Sequence, residues 1–227
     1  MNTICKPSRV IIYENADKLT LSQIKSKLGC DYVINGGLFN MSTFKPVCHL
    51  KIDGNVKSNA DWTRFGLGWN GLTFGMGTNM NEWDNYITCV EMIMDGKATT
   101  LSYPTDMGGS RARTAFGVFN DGRVWLFAQQ SPTLTIEQVQ SVAAGAGVKY
   151  AICLDGGGST QAILDGCTLQ SSRIVENVIC VWKVPKSKTI YRVQIGAYSQ
   201  KENAERMAMQ LRAQGYSTII KEDVITA

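Results

Sequence analysis

The sequence holds a single histidine, His49, in 227 residues. A Ser-His-Asp or Cys-His catalytic arrangement would have to be built on that one side chain. Its neighbourhood, Val47-Cys48-His49-Leu50-Lys51-Ile52, reads as a strand, where a structural histidine is the simpler reading. None of the seven cysteines (Cys5, Cys30, Cys48, Cys89, Cys153, Cys167, Cys180) stands in a C-x-x-C pair. Zinc therefore lacks a ligand set, and no metal ligands are assigned. The odd number of cysteines and their position in apolar runs point to buried free thiols rather than disulfides. No apolar run approaches the roughly 18–20 residues that span a bilayer. The first residues, Met-Asn-Thr-Ile-Cys-Lys-Pro, lack the apolar core of a signal peptide. The chain is thus expected to be made in the cytoplasm and to reach a cell wall only if released. Net charge is only +4 with no basic stripe, so nucleic acid is not an expected partner.

What is present is an ordinary globular composition, 44% hydrophobic and 19% charged, in a chain long enough for one mid-sized domain and something small. Three helices share one grammar. Thr20 and Gln23, Thr135 and Gln138, and Ser199 and Glu202 are spaced as capping boxes ahead of apolar residues three and four apart. Gly29, Gly147 and Gly215 follow as stops. Strand-like runs occupy 10–13, 31–34, 65–69, 86–94, 114–119, 124–128, 150–154 and 177–184. The expected fold is therefore mixed α/β (α+β), a large and largely antiparallel sheet with few helices. A small β-α-β module is expected at the C-terminus. Residues 70–83, rich in Gly, Asn, Met and Thr, read as a long loop over a site. The Pro185 region, 183–188, reads as a linker between domains at 1–185 and 189–227.

Glycine clusters after two of the strands, as Asn35-Gly36-Gly37 and as Asp155-Gly156-Gly157-Gly158-Ser159-Thr160. Such turns either simply reverse the chain or let backbone N–H groups approach an anion. A nucleotide-binding P-loop needs Lys after its last Gly, and Ser159 stands there instead. With histidine chemistry removed, carboxylate, arginine and amide groups remain, a set suited to glycosyl transfer to water.

Four segments occur in one order: Asn35-Gly36-Gly37-Leu38-Phe39-Asn40, Arg113-Thr114-Ala115-Phe116-Gly117, Leu154-Asp155-Gly156-Gly157-Gly158-Ser159 and Arg173-Ile174-Val175-Glu176-Asn177. Over residues 8–184 the chain resembles the phosphodiester glycosidase family, whose animal member uncovers mannose 6-phosphate by removing N-acetylglucosamine. Leu38 stands where that family commonly has an aromatic, and Arg111 adds a second arginine beside Arg113. The resemblance implies release of a sugar joined through its anomeric carbon to a phosphodiester.

In such a reaction positive charge builds on the sugar, so a carboxylate at its face helps, and Asp155 is the first candidate. A guanidinium fork matches phosphate oxygens: Arg113 is the first choice for that role and Arg173 the second, with Arg111 as neighbour. Asn35 is assigned to a sugar hydroxyl or N-acetyl group. Gly36, Gly37, Gly156 and Gly157 would present backbone, and Ser159 or Thr160 would meet a phosphate oxygen. Asp61, Glu82, Asp84, Asp106, Asp165 and Glu176 are all available as a second carboxylate. A divalent cation bridging Asp155 and a phosphate is compatible with the sequence but not required by it.

The tail, Tyr191-Arg192-Val193-Gln194-Ile195-Gly196-Ala197-Tyr198-Ser199 with Asn203-Ala204 and Leu211 to Tyr216, resembles the first half of a SPOR domain. The resemblance implies binding of peptidoglycan glycan strands, with Gln194 and Tyr198 as wall-contacting residues. A strand–helix–strand of that size buries little apolar surface, so it is expected to pack on the enzyme domain or to pair with a second copy as a homodimer. The combined expectation is a hydrolase of phosphate-linked glycan at a bacterial envelope, of phage origin or released on lysis. A non-catalytic wall-binding protein on the same fold, or a peptidoglycan-cleaving endolysin, are the alternatives.

Overall fold

The computed structural model describes residues 1–59, 65–185 and 193–223. The chain forms two compact units, Met1–Pro185 and Lys186–Ala227.

Alternation decides the architecture of the first unit. In the strand Arg111–Val118, Phe116 and Val118 face a core shared by all the larger sheets, while Ala115 faces the opposite side. Ile152 in Tyr150–Cys153 and Leu126 in Val124–Leu134 do the same, with Ala151, Cys153, Trp125 and Phe127 turned outward. Strands whose two faces are both apolar must be covered on both sides. Helix α1 (Leu21–Leu28) and helix α2 (Ile136–Ala146) supply the covers. Leu21 and Ile24 of α1 pack on Val33, Val178 and Cys180, and Ile136, Val139 and Ala143 of α2 pack on Ala115, Trp125 and Ala151.

Both helices start on the expected capping boxes, Thr20 with Gln23 and Thr135 with Gln138, and both end on the left-handed Gly29 and Gly147. Every strand pairing among the described residues is antiparallel. The strands divide among three sheets of six, five and five strands and a two-stranded ribbon, rather than forming one large sheet. The first sheet carries Arg111–Val118 and Tyr150–Cys153 side by side at its centre. In the third, Tyr32–Asn35 lies between Ala162–Leu164 and Asn177–Lys183. The second contains Leu50–Ile52 and Gly66–Asn70, and Trp69 Nε1 ties it to the third by donating to Val10 O at 3.0 Å.

Residues 70–83 are not one long loop. Thr73–Gly77 pairs with Gly66–Asn70 across a tight turn, and Gly71 takes a positive φ of 57° there. The Asn70-Gly71 pair is itself a hairpin signal. Trp83 closes the segment, lying over the glycine face at Gly68 and Gly75. All seven cysteines are free thiols, five of them buried. No helix among the described residues is long and apolar enough to cross a membrane.

In the second unit, helix α3 (Lys201–Ala213) forms, but the expected Ser199–Glu202 capping box does not. Its N-cap is Gln200, without a side-chain hydrogen bond. Nor do the flanking runs 193–198 and 217–221 form the strands expected of a β-α-β module. A strand exists only through a hydrogen-bonded neighbour, and the described residues here supply none. Val193 and Ile219 are left almost fully exposed. Tyr191 and Arg192 of that expected first strand lie outside the described residues.

Candidate active site

Two strand ends meet where the first and third sheets abut. Asp155 lies just past Tyr150–Cys153, and its backbone N–H donates to Gly36 O at 3.1 Å. Asn35 is the last residue of Tyr32–Asn35 and is fully buried. Its Nδ2 donates to Asp155 O at 2.8 Å, while its Oδ1 accepts from Thr114 Oγ1 at 2.6 Å and Gln161 N at 3.1 Å. Both ends of the amide are thereby committed. Asn35 joins the two sheets and fixes the backbone of Asp155; it does not present itself to a sugar.

The Asn35-Gly36-Gly37 turn is gripped from one side by Asn177. Asn177 O accepts from Gly36 N at 2.9 Å, and Asn177 Oδ1 accepts from Gly37 N at 2.8 Å. A Cβ on Gly36 would fall 1.9 Å from Asn177 Oδ1, so only glycine fits. Asn177 Nδ2 donates to Glu176 Oε2 at 2.7 Å, which fixes which way the amide points. Glu176 is buried, and that burial raises its pKa above the ordinary carboxylate value. Among the carboxylates proposed as a second acidic group, Glu82, Asp84, Asp106 and Asp165 are exposed, and Asp61 lies outside the described residues. Glu176 is the one the fold brings to the turn. The buried Cys48 thiol feels both Glu176 and Asp155, and with burial as the larger cause its pKa is pushed up to about 12.

Residues Gly157–Ser159 form a single 3-10 turn after Asp155 and Gly156. Burial raises the Asp155 pKa above its ordinary value, opposed by a hydrogen bond from the Ser159 side chain and the charge of Arg173. Ser159 is itself buried and accepts from Arg173 Nη1 at 3.1 Å. The result is a chain of contacts running Arg173–Ser159–Asp155. The Arg173 guanidinium lies against exposed Gly158, where an added Cβ would stand 2.8 Å from Nη2. Among the described residues no carboxylate salt-bridges Arg173, and Ser159 is the one side-chain hydrogen-bond partner of its guanidinium. Thr160 Oγ1 is buried without a partner among the described residues.

The two upstream arginines behave differently. Arg113 is buried, and Nε, Nη1 and Nη2 donate to the carbonyls of Leu134 at 3.0 Å, Met107 at 3.0 Å and Gly109 at 2.5 Å. Burial lowers its pKa. Arg111 donates to Asp106 O at 2.9 Å and Gly108 O at 2.5 Å. Both side chains therefore brace the 105–110 segment. Sequence put Arg113 before Arg173, but among the described residues Arg173 is the one with donors to spare. Which carbonyls a guanidinium meets depends on how 105–110 folds back, and no spacing in the sequence states that. Among the described residues, no group of three or more His, Cys, Asp or Glu side chains is placed to hold a metal.

The family model for phosphodiester glycosidase matches residues 28–182, a span that includes all of these groups. This chain belongs to the phosphodiester glycosidase family. A SPOR domain model matches residues 187–226. Among solved structures similar to this phosphodiester glycosidase is a hypothetical protein from Synechocystis, with a TM-score of 0.68 and 14% identity over 79% of this chain. The chain spans 58% of that protein's length. Another is the catalytic domain of zebrafish N-acetylglucosamine-1-phosphodiester alpha-N-acetylglucosaminidase, auto-inhibited by its pro-peptide, with a TM-score of 0.62 and 21% identity. That match covers 78% of this chain and 73% of the zebrafish one. At such identities the likeness is one of fold. No curated protein matches the chain.

Proposed function

We propose that this phosphodiester glycosidase hydrolyses the bond between an anomeric carbon and a phosphodiester on a bacterial envelope glycan. The observation that supports it most is the Arg173–Ser159–Asp155 chain on the triglycine turn. Arg173 offers the phosphate donors that no described residue shares, and Asp155 sets a carboxylate beside the sugar. As the anomeric C–O bond breaks, the bonding pair leaves with the phosphate oxygen and the guanidinium disperses that charge. Asp155 stabilises the cationic sugar, water supplies its hydroxyl to the anomeric carbon, and the remaining proton goes to solvent or the released phosphomonoester. A phosphate leaving group is weakly basic, so little general-acid help is needed. Thr160, with its unpartnered hydroxyl, and Gly156 and Gly157 line the same turn, while Asn35, Gly36, Gly37 and Arg113 hold its shape.

The C-terminal unit carries the enzyme to peptidoglycan, as its match to a SPOR domain supports, with Gln194 and Tyr198 on its exposed surface. Exposed Val193, Ile195 and Ile219 favour pairing with a second copy, which light scattering across a dilution series reads directly. The enzymatic reading is tested by free-sugar release from a panel of sugar-1-phosphodiesters, with and without chelator. Wild type should turn over at least one compound and Asp155→Ala and Arg173→Ala none. Binding to purified walls without turnover of any compound would replace the enzyme by a binding protein on the same fold.

A further inference from the structure

The hairpin formed by Ala162–Leu164 and Cys167–Leu169 keeps its ladder only as far as the pair Ala162 and Leu169. Beyond that pair one arm continues as residues 158–161, the end of the triglycine turn, and the other as residues 170–173, ending at Arg173. No backbone–backbone hydrogen bond joins these arms among the described residues. Side chains hold them instead. Gln130, reaching over from Val124–Leu134, donates from Nε2 to Thr160 O and Gln170 O, both at 2.8 Å. The buried Gln161 donates from Nε2 to Arg173 O at 2.8 Å. The Ser171 hydroxyl donates its one proton to Gly158 O and accepts from Arg173 N at 3.1 Å.

The backbone of Arg173 is therefore pinned at both its N–H and its C=O, and the Ser171 tie leads to Gly158 itself. A long arginine side chain holds its charge in one place only if its root is fixed, because every bond that turns freely spreads the position of the fork. We infer that Ser171 is a positioning residue for Arg173: its hydroxyl fixes the root of that side chain against the glycine turn that also carries Asp155. The inference rests on the proposed phosphodiester reading for what Arg173 then does, which is to receive the departing phosphate. Ser171 itself touches no substrate in this scheme; it sets the separation between the cation and the carboxylate. Because Ser171 is only partly buried, water can reach Gly158 O and Arg173 N once the hydroxyl is removed, and the fold survives the loss.

Ser171→Ala and Ser171→Thr, made in the full chain, test this. The first removes the bridge and the second restores a hydroxyl. Urea unfolding should find both close to wild type; a Ser171→Ala chain that unfolds at markedly lower urea would make the hydroxyl part of the frame and overturn the positioning role. Relaxation of the Arg173 Nε–Hε signal, read by NMR without substrate, should show an ordered side chain in wild type and Ser171→Thr and a loosened one in Ser171→Ala. An Arg173 signal as ordered in Ser171→Ala as in wild type overturns the inference, whatever the activity. On a sugar-1-phosphodiester that wild type cleaves, Ser171→Ala should lose about tenfold in kcat with KM little changed, as a misplaced charge matters most while the bond breaks. Ser171→Thr should recover most of that rate. An unchanged kcat in Ser171→Ala, or an equal loss in both variants, also counts against Ser171. Should wild type cleave no such compound, the hydrolase reading fails, while the order of the Arg173 side chain still decides what Ser171 does.

Discussion

Arg173 Nη1 donates to Ser159 Oγ at 3.1 Å, and the Ser159 side chain in turn opposes the rise that burial gives the Asp155 pKa. The cation and the carboxylate are coupled through a neutral hydroxyl rather than neutralising each other directly. That arrangement leaves the guanidinium with donors for an incoming oxyanion.

Arg173→Lys should therefore keep the fold and lose rate. A point charge cannot reproduce the fork, and removing one positioned donor to a developing oxyanion typically costs about 10²–10³ in kcat. Circular dichroism melts alongside sugar release check both halves, and an unchanged kcat would remove Arg173 from the site.

Arg113→Lys should do the reverse. Three backbone carbonyls, those of Leu134, Met107 and Gly109, lose a partner or share a poorer one. A loss of about 2–4 kcal/mol in unfolding free energy is expected from groups left unpaired in a buried place. Urea unfolding measures it; a variant as stable as wild type would mean that the 105–110 segment is held by other means.

Gly158→Ala should cost activity while sparing stability. The added methyl meets the mobile end of a side chain, Arg173 Nη2 at 2.8 Å, which can swing aside at the expense of its bond to Ser159. Gly36→Ala has no such escape, because Asn177 is itself anchored by Glu176 and Gly37. The contrast is read from soluble yield, melting temperature and kcat of the two variants; equal stability losses would contradict it.

Glu176 and Asp155 both have pKa values raised by burial. The folded state then holds their protons more tightly than the unfolded chain does. Their contribution to stability is present below the unfolded carboxylate value and is lost as pH rises toward the folded one. Glu176→Gln cannot titrate, so its melting temperature should gain on wild type as pH climbs above the ordinary Glu value of 4.5. A difference that stays flat across pH would show that Glu176 titrates normally. Turnover that depends on ionised Asp155 should likewise fall off in acid at a pH above 3.8, the ordinary Asp value.

Gln194→Ala with Tyr198→Ala should reduce retention on purified peptidoglycan while leaving hydrolysis of a soluble phosphodiester intact. Tyr198 lies in an exposed run with its ring against Gly196. Pull-down and solution assay on the same preparation give the two readings, and undiminished retention would place the wall contact elsewhere.

Much of the frame was legible in the residues. The capping boxes at Thr20 and Thr135, with Gly29 and Gly147 behind them, are local devices whose chemistry is complete within one turn, and both helices form where they place them. Thr73–Gly77 was missed because glycine at 75 and 77 hides the alternation of a strand, although Asn70-Gly71 announces the turn. Ser199 fails as a cap because a capping box is a preference that the chain's entry into the helix can override. The site motifs fall on two turns that the fold brings together, but the side-chain partners of Arg113, Arg173 and Asn35 include residues as far as 126 positions away in the chain. Local pattern cannot supply those.

The seam at Asn35 has a thermal consequence. Asp155 follows a strand of the first sheet and Arg173 precedes a strand of the third, so the gap between them is as firm as the docking of two sheets and no firmer. Warming that loosened one layer against the other would blunt the enzyme while every strand still kept its ladder. Inactivation should then run ahead of melting, and a cross-link spanning that joint would lengthen the working life of the enzyme more than it raised the temperature at which the chain unfolds.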